Sequence, residues 1–413
     1  MFFFYIKPSK LIKYIRYVGG SKLKELFINS DKQRDWLNRL ENIKRSIVEN
    51  SEDTDKLAKF PVESFQLLKD IGYTKITLPT NYGGEGLSVY DMVLLQETLA
   101  SYDENTSLAM GWTLGVIGDL YANKLWSDDL MEEFAEYLVD GAIVNRLVSE
   151  AVTGSPTRGG RPGTNARRTT NGWIINGRKS FSTASPVLDY FLTSAWIEEQ
   201  QKVGFFLINC NTPGISIDET WDVIAMRGTG SHDVVFEEVL VEEKYLVEIT
   251  QRPSGGLING WQLHIPATYL GIAQAARDYA INFATHYQPN SLQAPISTLP
   301  HIQHLIGEIE LYLQKSRFVL YGVAESFDDP NRRKLLTNEI ALAKYTVTNN
   351  ALTIVDKAMR IVGAKSLQNT NPLQRYYRNV RAGLHNPPMD DMTITKLAQH
   401  AIQQQRIKDT IKS

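Results

Sequence analysis

Residues 169–185 read TTNGWIINGRKSFSTAS, and this stretch decides how the chain divides. Asn-Gly pairs at 171 and 176 flank Trp173-Ile174-Ile175 as two-residue hairpin turns flank a strand, which marks β structure and not helix. Outward from it, DYFLTSAWI, KVGFFLINCN, GISI and SHDVVFEEVLV repeat the texture of short β-branched and aromatic runs between turn residues. They predict a middle β domain over about 142–250, an antiparallel barrel or sandwich.

Helical spacing takes over on both sides. Within 32–141, WLNRLENIKRSIVEN, FPVESFQLLKDIGY and DMVLLQETLASYDE place apolar residues three and four apart, which predicts an N-terminal helical domain. The loop TLPTNYGGEGLS interrupts it, with Pro79 and glycines 83, 84 and 86 setting the turns. Within 251–413, IPATYLGIAQAARDYAINFATHY, IQHLIGEIELYLQKSRFVLYGVAESF, NEIALAKYTVTNNALTIVDKAMRIVG and MTITKLAQHAIQQQRIKD are long amphipathic segments with short breaks. Four such segments predict an antiparallel four-helix bundle. The expected fold is therefore α+β and multidomain: helical domain, β domain, helical bundle, after an extension over 1–31.

Composition narrows the partners. With 413 residues, 43% of them hydrophobic and 22% charged, the chain can bury a large core divided into two or three units. A net charge of −2 gives no reason to expect nucleic acid or an acidic membrane, so a bound anion must be met by local basic groups. Cys210 is the single cysteine, which excludes an internal disulfide framework and fits a reducing cytoplasm. The N-terminal MFFFYIKPSKLIKYIRYVGG is apolar before it is basic and its apolar run is too short for a signal core. It is expected to pack on the protein or fray, with no stable membrane insertion.

Three motif matches fail on context. Gly172, Gly177, Lys179 and Ser180 imitate a phosphate loop, but Arg178 breaks the spacing and the surroundings are strands. GGEG and GTGSHD each carry part of a dinucleotide glycine pattern, yet neither follows a strand and opens a helix. His301, His304 and Glu308 share a helix face without a second set of ligands, so no metal is expected.

Five segments in order resemble the acyl-CoA dehydrogenase family of flavoproteins, over nearly everything from about residue 32 to 400. LPTNYGGEGLS is similar to the family's Pro-x-x-Tyr-Gly-Gly-x-Gly loop, LVSEAVTGS to Thr-Glu-Pro-x-x-Gly-Ser, and NGRKSFSTAS to Asn-Gly-x-Lys-x-Trp-Ile-Thr. MRGTGSHDVVFEEVLV matches the pattern before the bundle, and RIVGAKS with RYYRNVR matches the late Gly-Gly and Arg-Asp-x-Arg region. The resemblance implies a flavin, FAD with FMN as the alternative. It places Ser149 and Thr183 at the edge of the isoalloxazine, Phe181 against its ring in place of the usual Trp, and Ser155 at the pyrophosphate. Arg227, Thr229 and Ser231 would border the substrate channel and meet a CoA thioester or other anionic group, or would be plain turn residues.

In the family a neighbouring subunit grips part of the cofactor, so the resemblance also implies a homo-oligomer, a tetramer built as a dimer of dimers. The family's Arg-x-x-Phe-Gly segment is replaced here by YQPNSLQAPISTLP, and its Gln before Gly-Gly by Arg360. Arg360, with Gly363 behind it, would then face the diphosphate; the alternative is a bundle-surface arginine.

The family's catalytic Glu is missing. Counted from Arg378, its position after the Arg-Asp-x-Arg helix is Pro387, and its alternative position in the first bundle helix is Trp261. The stretch 375–391, RYYRNVRAGLHNPPMDD, leaves three readings. Asp390 or Asp391 serves as base for α,β-dehydrogenation of an acyl-CoA, or both are helix caps. Alternatively LHNPP resembles the Leu-His-Asp-Pro segment of monooxygenases on this fold, which use dioxygen and flavin from a reductase, and His385 assists that chemistry. The third is a family member that binds flavin but has lost its chemistry; a flavin-free, non-catalytic oligomeric interaction protein is a separate alternative. Dehydrogenation, passing electrons to a redox partner, is the leading expectation.

Overall fold

A computed structural model describes residues 22–153, 160–250 and 259–412. Ser155 and most of the expected N-terminal extension lie outside the described residues. The first long helix, α1 (Asp31–Leu57), starts on a capping box in which Ser30 accepts from the Gln33 amide and Gln33 answers it. It turns Trp36, Leu40 and Ile47 into the core. Helices α2 (Val62–Asp70), α3 (Val89–Ala100), α4 (Glu104–Asn123) and α5 (Asp128–Val139) complete the N-terminal domain.

The β domain is one eight-stranded sheet: β1 (Val144–Leu147), β2 (Asn165–Thr169), β3 (Gly172–Lys179), β4 (Tyr190–Ile197), β5 (Lys202–Asn209), β6 (Ile215–Asp218), β7 (Asp233–Val241) and β8 (Leu246–Thr250). Its order is β6-β7-β3-β2-β4-β5-β8, with β1 added beside β4. The sheet is mixed, because β1 and β2 both pair with β4 in parallel, while the remaining pairs are antiparallel as expected. The hairpin turn between β2 and β3 is Thr170-Asn171, and Gly172 opens β3 opposite Thr169. The second Asn-Gly pair is not a turn. Asn176-Gly177 lies inside β3, where Gly177 takes φ +153° against Thr164; the bulge there belongs to β7, whose Glu237 and Glu238 stand opposite the single residue Asn176, with Glu238 at φ +49°.

The C-terminal helices α6 (His264–His286), α7 (Pro300–Asp328) and α8 (Glu339–Val362) pack on one another, and α3 lies across α6 and α7. This explains why α3 is buried on nearly every side. A charged core contact fixes the crossing: Arg317 donates from Nε and Nη2 to Glu97 Oε1 at 3.0 and 2.6 Å, and Tyr321 donates to Glu97 Oε2 at 2.5 Å. The short α9 (Pro372–Asn379) leads to the final α10 (Asp390–Lys412), which buries Thr393 near its start and leaves residues 394–410 largely exposed. Glycines bring α4 against the start of α6. A Cβ at Gly118 would lie 2.4 Å from the Trp261 ring, and one at Gly111 would lie 2.4 Å from His264 Nδ1. Among the described residues no helix is long and apolar enough to cross a membrane.

Candidate active site

The end of β3 is pinned from below. Lys179, with no side-chain exposure, donates to Glu150 Oε1 at 2.6 Å and to Ser194 Oγ at 3.0 Å. Glu150 also accepts from Gly163 N, Thr164 N and Thr164 Oγ1, so one carboxylate joins three segments. Burial pulls the Lys179 ammonium down to about 8 against the opposing field of Glu150. The lysine that imitates a phosphate loop in the sequence is therefore a buried structural cation.

Above this pair the chain makes two turns that interlock. Ser180 N donates to Ser149 O at 2.9 Å, Ser182 N to His232 O at 3.1 Å, and Ala184 N to Thr229 O at 2.9 Å. The hydroxyls of Thr183 and Ser231 are 2.9 Å apart, and those of Ser231 and Thr229 are also 2.9 Å apart. The chain ends where Thr229 Oγ1 donates to Met226 O at 3.0 Å. Three non-glycine residues around it adopt left-handed backbone: Phe181 at φ +55°, Ala184 at +66° and Met226 at +54°. Such strain persists only where neighbours over-determine it, and it concentrates at binding sites.

Phe181 is 66% exposed, with Trp221 set edge-on at 5.7 Å. His232 stands beside them, its Nδ1 accepting from Trp221 N at 3.2 Å, and burial lowers its affinity for a proton. Ser180 Oγ and Arg227 Nε are buried without a hydrogen-bond partner among the described residues. An exposed aromatic face, a file of hydroxyls and an unsatisfied guanidinium nitrogen fit a flat, polar, partly anionic group such as a flavin. Ser149 is half-buried at the edge of this cluster.

The helix that carries RYYRN closes the site from the bundle side. Arg378 clamps Asp55 with two bonds of 3.1 and 2.5 Å and donates to Ile224 O at 2.8 Å. Arg375 reaches Ser51 and lies 3.1 Å from Glu104. Asn379 bridges Glu104 and the Met226 amide. The turn after it places the proton-transfer candidates differently from one another. His385 and Asp391 are exposed. Asp390 is occupied: its Oδ1 lies 3.5 Å from Lys344 Nζ and its Oδ2 accepts from Asn349 at 2.9 Å. Asn386, next to Pro387, accepts from the buried Tyr269 hydroxyl.

Arg360 and Gly363 are not brought to this cluster within the chain. Arg360 is 67% exposed at its side chain and pairs with Asp356 at 2.7 Å on its own helix, while Gly363 caps α8 at φ +69°. A surface cavity of about 530 Å³, lined by Asn81, Tyr82, Glu132, Ala135, Glu136, Val139 and Asp140, contains none of the expected site residues. Glu308, one turn from His304 on α7, accepts from Lys357 of α8 at 2.7 Å, and no metal-holding cluster exists among the described residues. Sequence reasoning missed Glu150, His232, Glu104 and Asn379. Glu150 stands within LVSEAVTGS, His232 beside Ser231 in GTGSHD and Asn379 within RYYRNVR, whereas no local signal marks Glu104.

The comparisons agree with this architecture. Residues 30–141, 146–239 and 258–384 match the families described as "Acyl-CoA dehydrogenase, N-terminal domain", "middle domain" and "C-terminal domain". A candidate acyl-CoA dehydrogenase, YdbM of Bacillus subtilis (strain 168), is 54% identical over 378 residues, covering 92% of this chain and 99% of that protein. The structure of butyryl-CoA dehydrogenase from Megasphaera elsdenii superposes with a TM-score of 0.81 at 18% identity, covering 91% of this chain and 99% of the other. FMN-bound TdsC from Paenibacillus sp. A11-2 gives 0.79 at 19% identity, covering 90% and 98%. The chain belongs to the acyl-CoA dehydrogenase family of flavin-dependent oxidoreductases.

Proposed function

We propose that this chain binds FAD or FMN against Phe181, Thr183 and Ser149 and oxidises an acyl thioester between its α and β carbons. The observation that supports this most is the hydroxyl file Thr183–Ser231–Thr229, which joins the expected flavin edge to the expected substrate turn across 48 residues of sequence. A bound flavin supplies the hydride acceptor. Thr183 and Ser231 orient the ring edge and the thioester, and Arg227 offers its unsatisfied Nε to an anionic group. Phe181 covers one ring face and keeps water from it. The substrate proton goes to Asp390 or Asp391, and Asp390 must release Lys344 to take it. Homo-oligomerisation brings Arg360 and Gly363 of one copy toward the cofactor of another, and an electron-transfer partner reoxidises the enzyme.

The occupied state of Asp390 favours a second reading. In it His385, exposed on the same turn, assists chemistry between dioxygen and a flavin reduced by a separate reductase. Anaerobic titration of flavin-loaded protein with acyl-CoAs of increasing length separates the two. Loss of the oxidised flavin band with any of them supports dehydrogenation. No loss across the series, with oxygen consumption once the flavin is chemically reduced, favours the second reading. A protein that takes up neither FAD nor FMN refutes both.

A further inference from the structure

We infer that Glu104 is a positioning residue for the ligand-facing turn 226–231, acting through Asn379. This rests on the reading that the turn borders the bound cofactor and substrate. Asn379 is fully buried; its Nδ2 donates to Glu104 Oε1 at 2.6 Å and its Oδ1 accepts from Met226 N at 2.6 Å. A carboxylate on one side and an N–H on the other leave one orientation for the amide. The bond to Met226 falls where the chain is left-handed, at φ +54°, and Met226 O in turn receives Thr229 Oγ1. A second bond comes from the same helix turn: Gly228 N donates to Asn105 Oδ1 at 3.0 Å. Residues 104 and 105, at the start of α4, thus hold the turn at 226 and 228, and the hydroxyls of Thr229 and Ser231 hang from those two points.

Glu104 is 1% exposed, and Arg375 Nε lies 3.1 Å from its Oε1. In the Arg-Asp-x-Arg pattern that 378–381 otherwise follows, position 379 is the acid; here it is an amide and the carboxylate stands opposite, on α4. An acid at both places would press two carboxylates together in a buried site, whereas an amide at 104 facing an acid at 379 restores both bonds, with donor and acceptor exchanged between 104 and 379 and Met226 N still donating to 379. The relay therefore predicts a reciprocal swap.

Wild type, Asn379→Asp, Glu104→Gln and the double variant are compared by flavin titration and by amide hydrogen exchange of the peptide spanning 226–231. N379D is expected to weaken flavin binding roughly tenfold and to speed exchange at 226–231. The double variant should return both to within about threefold of wild type. Wild-type flavin affinity and exchange in N379D, or a double variant no better than N379D, overturns the relay. If N379D does not fold, Asn379→Ala replaces it, because it removes both bonds without adding charge; unchanged exchange at 226–231 then overturns the proposal. Wild-type protein that binds no flavin defeats the functional reading, while the exchange data still decide the relay.

Discussion

Lys179 Nζ and Glu150 Oε1 stand 2.6 Å apart with the lysine wholly buried, directly beneath the turn that presents Phe181 and Thr183. Removing one partner strands a charge that water cannot reach, at a cost of about 3 kcal/mol or more. Lys179→Met is expected to lower the urea midpoint sharply, and Lys179→Met with Glu150→Gln to recover much of it, since the second change removes the stranded charge. A single variant as stable as wild type would mean that the pair is hydrated in solution.

The Thr183 and Ser231 hydroxyls share one hydrogen bond, and Ser231 shares another with Thr229. Thr183→Val and Ser231→Ala should each weaken FMN and FAD binding by about 1 kcal/mol. Because the two substitutions break the same contact, the double variant should lose less than the sum. Fluorescence titration of cofactor-free protein measures all three. Strict additivity would show that each hydroxyl meets the flavin independently of the other.

Asp390 reads in the sequence as an acid at a helix start, free either to cap or to catalyse, but its carboxylate faces Lys344, which is 2% exposed on α8. Burial lowers the lysine's hold on its proton and Asp390 opposes that. Asp390→Asn is therefore expected to reduce the thermal midpoint, by an amount corresponding to roughly 2 kcal/mol. A structural partner shows this loss with flavin reduction by substrate changed only a few-fold. Loss of substrate-driven flavin reduction at full stability would instead make Asp390 the base.

The three-domain order was legible because it is written locally: short β-branched and aromatic runs between turn residues around Trp173-Ile174-Ile175, helical spacing on both sides. Thr183, Thr229 and Ser231 were singled out by the family resemblance, but the contact between the Thr183 and Ser231 hydroxyls, across 48 residues, was not. What stayed hidden is set by partners far along the chain. Asn176-Gly177 has the composition of a turn, yet pairing with β7, which bulges opposite Asn176, keeps it inside a strand. Glu104 and Asn379 meet across 275 residues, and no local pattern marks either as a bridging residue. Lys179 was visible only as a broken phosphate loop, because the carboxylate that defines its role comes from a different segment.

His264 gives the chain a built-in sensitivity to acid. It is 1% exposed where α6 meets the glycine face of α4, with the Trp112 ring 4.8 Å away and no hydrogen-bond partner for Nδ1 among the described residues. Burial depresses it from 6.5 to about 3. The folded-state value lies below the unfolded one, so both states are neutral at pH 7 and the histidine does not affect stability there. As the pH falls below 6.5 the unfolded chain binds a proton that the folded chain refuses, and stability drains away until about pH 3. At pH 5 the loss amounts to roughly 2 kcal/mol. His264→Gln, which keeps a polar side chain of similar reach, should flatten the decline of the urea midpoint between pH 6.5 and 4 relative to wild type. Equal slopes in the two proteins would place the acid sensitivity elsewhere, with Glu150 the next group to test, because the buried Lys179 holds its carboxyl below the usual range against the push of burial.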